Sequence, residues 1–200
     1  TAPPEQSLEW SDEGVEGAHR FLKRLWVLAA ERAEALSSAG RDLSGLNAEQ
    51  KTARRELHQA LAKAGFDYQR QQFNTVVSAA MIMVNTLYKL GDNPGDLALL
   101  REGFGMVLRL LGPVAPHISH RLWVDLGYGS DILEAEWPQP DPEALRQDSI
   151  QYVVQVNGKL RARIEVAADA GREQVQEIAL ADPNVQNFTG GRPPRKVIVV

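Results

Sequence analysis

Residues 152–166 read Tyr152-Val-Val-Gln-Val-Asn-Gly-Lys-Leu-Arg-Ala-Arg-Ile-Glu-Val166. Asn157-Gly158 between two alternating apolar runs predicts a β-hairpin, because both residues tolerate the positive φ of a tight reversal. Lys159, Arg161 and Arg163 recur at every second position and are expected on one face. A strict two-residue loop would pair Val156 with Lys159 and Val154 with Arg161, mixing valines and cations on one side. A three-residue loop, with Gly158 as the left-handed residue of a bulge, pairs Val154 with Leu160, Tyr152 with Ala162 and Ile150 with Ile164. One face is then wholly apolar. A one-residue slip turns every side chain over, so the buried face predicts the three-residue form. The cations then point away from the core, toward a polyanion.

Downstream, a helix is expected from about Gly171 to Leu180 and a further strand from Lys196. Arg195 and Lys196 open that strand and add to the local charge, and Gly190-Gly191-Arg192 would let a backbone approach closely. Residues 150–200 therefore read as a small α/β domain. Upstream, Trp137-Pro-Gln-Pro-Asp-Pro142 breaks every regular pattern, and residues 137–149 are expected as a stiff linker.

Residues 11–136 read as an antiparallel helical bundle, preceded by a tail or linker over residues 1–10. Ser11 caps a first helix reaching about Ala39, with Val15, Ala18, Leu22, Leu25, Ala29 and Leu36 on one face. Asn47 and Gln50 form a capping-box pattern for a second helix, striped by Ala53, Leu57, Ala60, Leu61 and Ala64. A third is expected near Tyr68 to Leu90, burying Phe73, Val77, Ala80, Val84 and Leu87. After the turn Asp92-Asn-Pro-Gly-Asp96, a fourth carries Leu97, Leu100, Phe104, Val107, Leu108 and Leu111 and stops at Gly112-Pro113. A fifth holds Ile118, Leu122, Trp123 and Leu126. The fold class is mainly α.

The net charge of −4 over 200 residues hides an asymmetry. Residues 1–149 carry a net −6 and residues 150–200 a net +2, so contact with phosphate is expected to be local. Cysteine is absent, which excludes disulfides and thiolate metal sites. No apolar run approaches the length of a membrane-spanning helix, and residues 1–10 do not resemble a signal peptide. The expected setting is the cytoplasm, with no membrane partner.

No catalytic constellation emerges. There is no His-Glu-x-x-His, no Gly-x-x-x-x-Gly-Lys loop and no Gly-x-Ser-x-Gly elbow. His117 and His120 stand three apart, but nothing completes a metal site, and capping or packing is the favoured reading. No metal ligand, catalytic residue or cofactor site is expected in this chain. Lys51, Arg54, Arg55 and His58 form a second basic feature opposite the Leu57/Leu61 stripe, which on sequence grounds reads more naturally as a solvated face. Arg70 and Asn74 are expected on one side of the third helix, where they could meet a phosphate or hydrogen-bond between helices.

Several segments carry a resemblance. Ala115-Pro-His-Ile-Ser-His-Arg-Leu-Trp123 resembles a helix in the anticodon-binding bundle of class I synthetases for leucine, isoleucine and valine, and Arg70-Gln-Gln-Phe-Asn-Thr75 resembles the helix before it. Ile132-Leu-Glu-Ala-Glu-Trp-Pro138 resembles the segment that leaves the bundle. Val154-Gln-Val-Asn-Gly-Lys-Leu-Arg161, Ala179-Leu-Ala-Asp-Pro-Asn-Val185 and Arg195-Lys-Val-Ile-Val-Val200 resemble the small C-terminal domain of bacterial leucyl-tRNA synthetases. His117-Ile-Ser-His120 looks like the family's His-Ile-Gly-His ATP signature, but it lies in a helical bundle and lacks the glycine. The Lys-Met-Ser-Lys-Ser signature is missing.

The resemblance implies a stretch that begins just beyond a catalytic region and whose pattern continues past Val200 with another strand. It implies a leucine–tRNA ligase as the parent, with ATP and Mg used in the catalytic domain. It also implies tRNA(Leu) as partner, held along the anticodon stem and at the core or elbow. A monomer without a DNA partner is expected. The candidate tRNA-binding residues are Lys159, Arg161, Arg163, Arg195, Lys196, Arg54, Arg55, Arg70 and Asn74. The alternative is a helical protein-interaction module with an accessory α/β domain and no nucleic-acid role.

Overall fold

Ser11 accepts a hydrogen bond from the Gly14 backbone N–H and starts α1, Asp12–Ser38. Helices α2 (Ala48–Gln69), α3 (Phe73–Leu87), α4 (Pro94–Leu111) and α5 (Pro116–Asp125) follow. A 3₁₀ turn at Ile132–Glu134 and the short α6, Pro142–Leu145, come next. The hairpin β1 (Ser149–Val156) and β2 (Lys159–Ala167) precedes α7 (Arg172–Ala181) and α8 (Pro183–Thr189). This is a computed structural model; it describes residues 2, 5–7, 9–146, 149–190, 194 and 196–199.

The chain divides into two compact units, Thr1–Leu145 and Arg146–Val200. In the first, α2 packs on α3 and α4, while α1 packs on α4 and α5. The core is leucine-rich, with Leu25, Leu57, Leu87, Leu100, Phe104 and Leu108 fully buried. α4 approaches its neighbours closely at Gly103, where a Cβ would lie 2.5 Å from Leu87 Cδ2 and 3.2 Å from Leu57 Cδ1. The capping box of α2 is formed: Gln50 N–H donates to Asn47 Oδ1, and Asn47 N–H to Gln50 Oε1.

The third helix departs from expectation. Tyr68 belongs to the last turn of α2, and Phe73 starts α3 half-exposed. Between them Gln71 adopts φ +57°. Gln72 N–H returns to Asp67 O at 2.9 Å and Gln71 N–H to Tyr68 O at 3.0 Å. That is a Schellman C-cap with glutamine where glycine is usual, so no glycine marks the break. The buried stripe of α3 shifts accordingly, to Val76, Ala79, Ala80, Met83, Val84 and Leu87.

The stretch expected as a linker is largely fastened to the first unit. Trp137 meets the Tyr68 ring edge-on at 4.8 Å, Pro138 is buried, and Asp141 caps α6 by accepting from Glu143 N–H. Proline composition breaks a helix but does not prevent docking.

In the second unit α7 and α8 back the hairpin. Ile164, Val166 and Val175 form its small core, joined by Tyr152, Val154 and Ile178. The sheet has two strands. The further strand expected from Lys196 is not formed over residues 196–199, although Val199 packs on the core. α8 was not anticipated; Asp182 accepts from Asn184 and Val185 N–H, with Pro183 in the first turn.

Candidate nucleic-acid interface

The hairpin turns on two residues, not three. Asn157 has φ +52° and Gly158 φ +74°, and Val156 pairs with Lys159. An irregularity follows at once. Gln155 pairs with Leu160 but Val154 with Ala162, so Arg161 is the extra residue of a β-bulge. Tyr152 then pairs with Ile164 and Ile150 with Val166. The bulge pairs Tyr152 and Val154 with apolar partners as a three-residue loop would, one step further along.

The consequence for the cations is a correction. Lys159, Arg161 and Arg163 do not share one face. Arg163 stands opposite Val153 on the exposed side, with Leu160 also turned outward at 51% exposure. By alternation Lys159 shares the side of its partner Val156 and is itself exposed. Arg161 lies on the helix-backed side, its guanidinium carbon 3.6 Å from the centre of the Phe188 ring. Its Nε is buried and has no hydrogen-bond partner among the described residues. Phe188 carries no charge and sits on the unanticipated α8, so neither charge pattern nor hairpin register pointed to it. Lys196 is exposed; Arg195 lies outside the described residues.

In the first unit Arg54 is not a free phosphate contact. Its Nε donates to Glu102 Oε2 at 2.9 Å, and its Nη2 to Glu102 Oε1 at 2.8 Å and to Asp141 Oδ2 at 2.6 Å. His58, also expected on a solvated face, is 2% exposed, because it falls on the Leu57/Leu61 stripe. Its Nδ1 accepts Asp141 N–H at 2.9 Å, which leaves Nε2 to donate to Glu102 Oε1 at 3.1 Å. Burial pushes the Glu102 carboxyl up, but hydrogen bonds from His58 and Arg54 outweigh it and hold the group below the usual carboxylate range. The Arg54 hydrogen bond likewise lowers Asp141. Glu102 in turn raises Arg54. The network binds α2, α4 and the start of α6 together.

Arg55 is half-buried and Lys51 is exposed. Arg70 and Asn74 are separated by the Gln71 corner. Arg70 closes α2 and lies over the exposed Phe66 ring at 5.3 Å. Asn74 sits in the first turn of α3 with its Oδ1 buried and unpaired among the described residues. His120 pairs with Asp131 at 3.6 Å, consistent with packing. Among the described residues no three His, Asp or Glu side chains gather in a way that could hold a metal ion. No described helix is long and apolar enough to cross a membrane.

The chain is thus a helical bundle followed by a helix-backed hairpin that carries exposed cations. The chain belongs to the family of anticodon-binding domains of tRNA ligases, whose model matches residues 50–177. It is 48% identical to the leucine–tRNA ligase of Coxiella burnetii (strain CbuK_Q154), over the whole of this chain and 25% of that protein. Against the leucine–tRNA ligase of Pseudomonas savastanoi pv. phaseolicola the identity is 50%, over 100% of this chain and 23% of the relative. The chain thus spans about a quarter of the length of the curated relatives it matches. It also resembles the LeuRS chain of Agrobacterium radiobacter K84, solved in a ternary complex with tRNA and LeuAMS. There the TM-score is 0.79 at 30% identity, over 96% of this chain and 25% of that one.

Proposed function

We propose that this chain is the tRNA-docking portion of a leucine–tRNA ligase. The observation that carries the reading is its likeness, over 96% of its length, to a LeuRS chain solved with tRNA. In this reading leucine, ATP and Mg are handled in the part of the enzyme that the chain does not span, and the chain itself contributes no catalytic group. The partner is tRNA(Leu), bound by a monomer in the cytoplasm.

Phosphate contacts set register and orientation without reading sequence. Lys159, Arg163 and Lys196 are exposed and suited to that work, and Arg195 is a fourth candidate from the sequence. Arg70, Arg55 and the side-chain amide N–H of Asn74 are candidate contacts in the first unit. Arg54 is reserved for the network with Glu102 and Asp141.

The experiment is a titration of the chain with a tRNA(Leu) transcript at two salt concentrations, competed by a DNA duplex. Saturable binding that weakens with salt and resists the duplex is expected. Absence of binding at low salt would favour the protein-interaction module instead.

A further inference from the structure

Several arginines of the first unit are occupied by protein acceptors. Arg54 is held by Glu102 and Asp141, Arg32 by Asp92 and Arg121 by Asp125. Arg101 and Arg109 donate to backbone carbonyls. Arg161 differs. Among the described residues it has no carboxylate and no hydrogen-bond partner, and its Nε is buried. A buried donor without an acceptor costs roughly 1–3 kcal/mol, more when charged. Such a group calls for an explanation, and an absent anionic ligand is one.

Two features show that the group is placed, not stranded. The bulge inserts Arg161 as the unpaired residue of β2 and turns it to the helix-backed side. Its guanidinium then lies 3.6 Å from the Phe188 ring centre, and that ring is 55% exposed. A guanidinium held this close to a ring has lost much of its rotamer freedom before any ligand arrives, and it keeps the fork that matches a phosphate. Lys159 and Arg163, by contrast, are exposed side chains with no ring against them in the described residues.

Resting on the tRNA-docking reading, we infer that Arg161 and Phe188 form a preorganised clamp for a phosphodiester of the bound RNA. Phe188 positions the fork, and Arg161 supplies both charge and geometry. Lysine cannot replace it, because an ammonium has no planar edge to lie on the ring and present two parallel donors.

The test is tRNA(Leu) transcript affinity across a salt series for the chain and three variants, Arg161→Ala, Arg161→Lys and Phe188→Leu. Thermal melting checks each fold. Arg161→Ala is expected to weaken binding about tenfold and to lower the slope of log K on log salt by about 0.7–0.9, the value for one phosphate contact. Arg161→Lys is expected to bind nearly as weakly although its charge is kept. Phe188→Leu removes no charge and is expected to cost severalfold in affinity. A purely structural cation–ring contact would move the melting temperature and leave the slope alone. If the parent chain binds while Arg161→Lys and Phe188→Leu bind equally well, or Arg161→Ala keeps the full slope, the clamp is wrong and the docking reading stands. If the parent chain does not bind tRNA at low salt, both fall.

Discussion

His58 and Asp141 are 83 residues apart in sequence, yet the imidazole Nδ1 of one accepts the backbone N–H of the other at 2.9 Å. That bond fixes the tautomer of a fully buried histidine and aims its Nε2–H at Glu102. It also ties the start of α6 to α2, so the chain leaves the bundle from a fixed point.

Arg54 holds the two carboxylates of this network, and its removal would leave Glu102 with His58 alone as a side-chain donor. Arg54→Ala is expected to destabilise the first unit by about 3 kcal/mol, the range for breaking a largely buried pair from one side. Replacing Arg54 and Glu102 together by apolar residues of similar size is expected to cost less. Denaturant midpoints of the three proteins measure the difference.

The same network sets an acid limit. Glu102 and Asp141 are both held below their ordinary pKa in the folded chain. A lowered folded pKa adds stability that is complete above the unfolded value, about 4 for these groups. That stability is lost as pH falls through the folded value. The bundle should therefore weaken below about pH 4, and Glu102→Gln should flatten that fall. Circular dichroism melts between neutral and acid pH report it; an unchanged pH profile in the variant would count against the account.

Gln71 closes α2 in a left-handed conformation that costs a non-glycine residue roughly 1–2 kcal/mol. Gln71→Gly is expected to stabilise the first unit by about 1 kcal/mol, after the larger chain entropy of glycine is set against the relief. The melting temperature should rise.

Gly103 is the opposite case. The leucines its Cβ would strike, Leu87 and Leu57, are fully buried and cannot swing aside. Gly103→Ala is expected to destabilise by about 1–3 kcal/mol through overpacking, read from the denaturant midpoint.

Much of this was legible in the sequence. Ser11 and Asn47 marked helix starts, Asn157-Gly158 marked the turn, and the leucine stripes marked the core. What stayed hidden has identifiable causes. A bulge at Arg161 satisfies the apolar alternation as well as a longer loop does, so register could not be chosen from the pattern alone. Residues 54, 57, 58 and 61 fall on one helical stripe, so the solvated face expected for Arg54 and His58 conflicts with their own spacing; tertiary structure adds that Glu102 of α4 and Asp141 beside α6 meet them there. Gln71 ends a helix where the usual glycine signal is missing. Asp182-Pro183 does carry a capping signal for α8, which brings Phe188 with it.

The most direct test of the docking account is the salt dependence of tRNA(Leu) binding by the chain, compared with a variant in which Lys159, Arg163 and Lys196 are all alanine. Each phosphate contact contributes about 0.7–0.9 to the slope of log K on log salt. The account requires saturable binding by the parent chain, with a slope that drops by about two units in a variant that melts normally. A chain that binds no tRNA at low salt, or a variant with an unchanged slope, would contradict it.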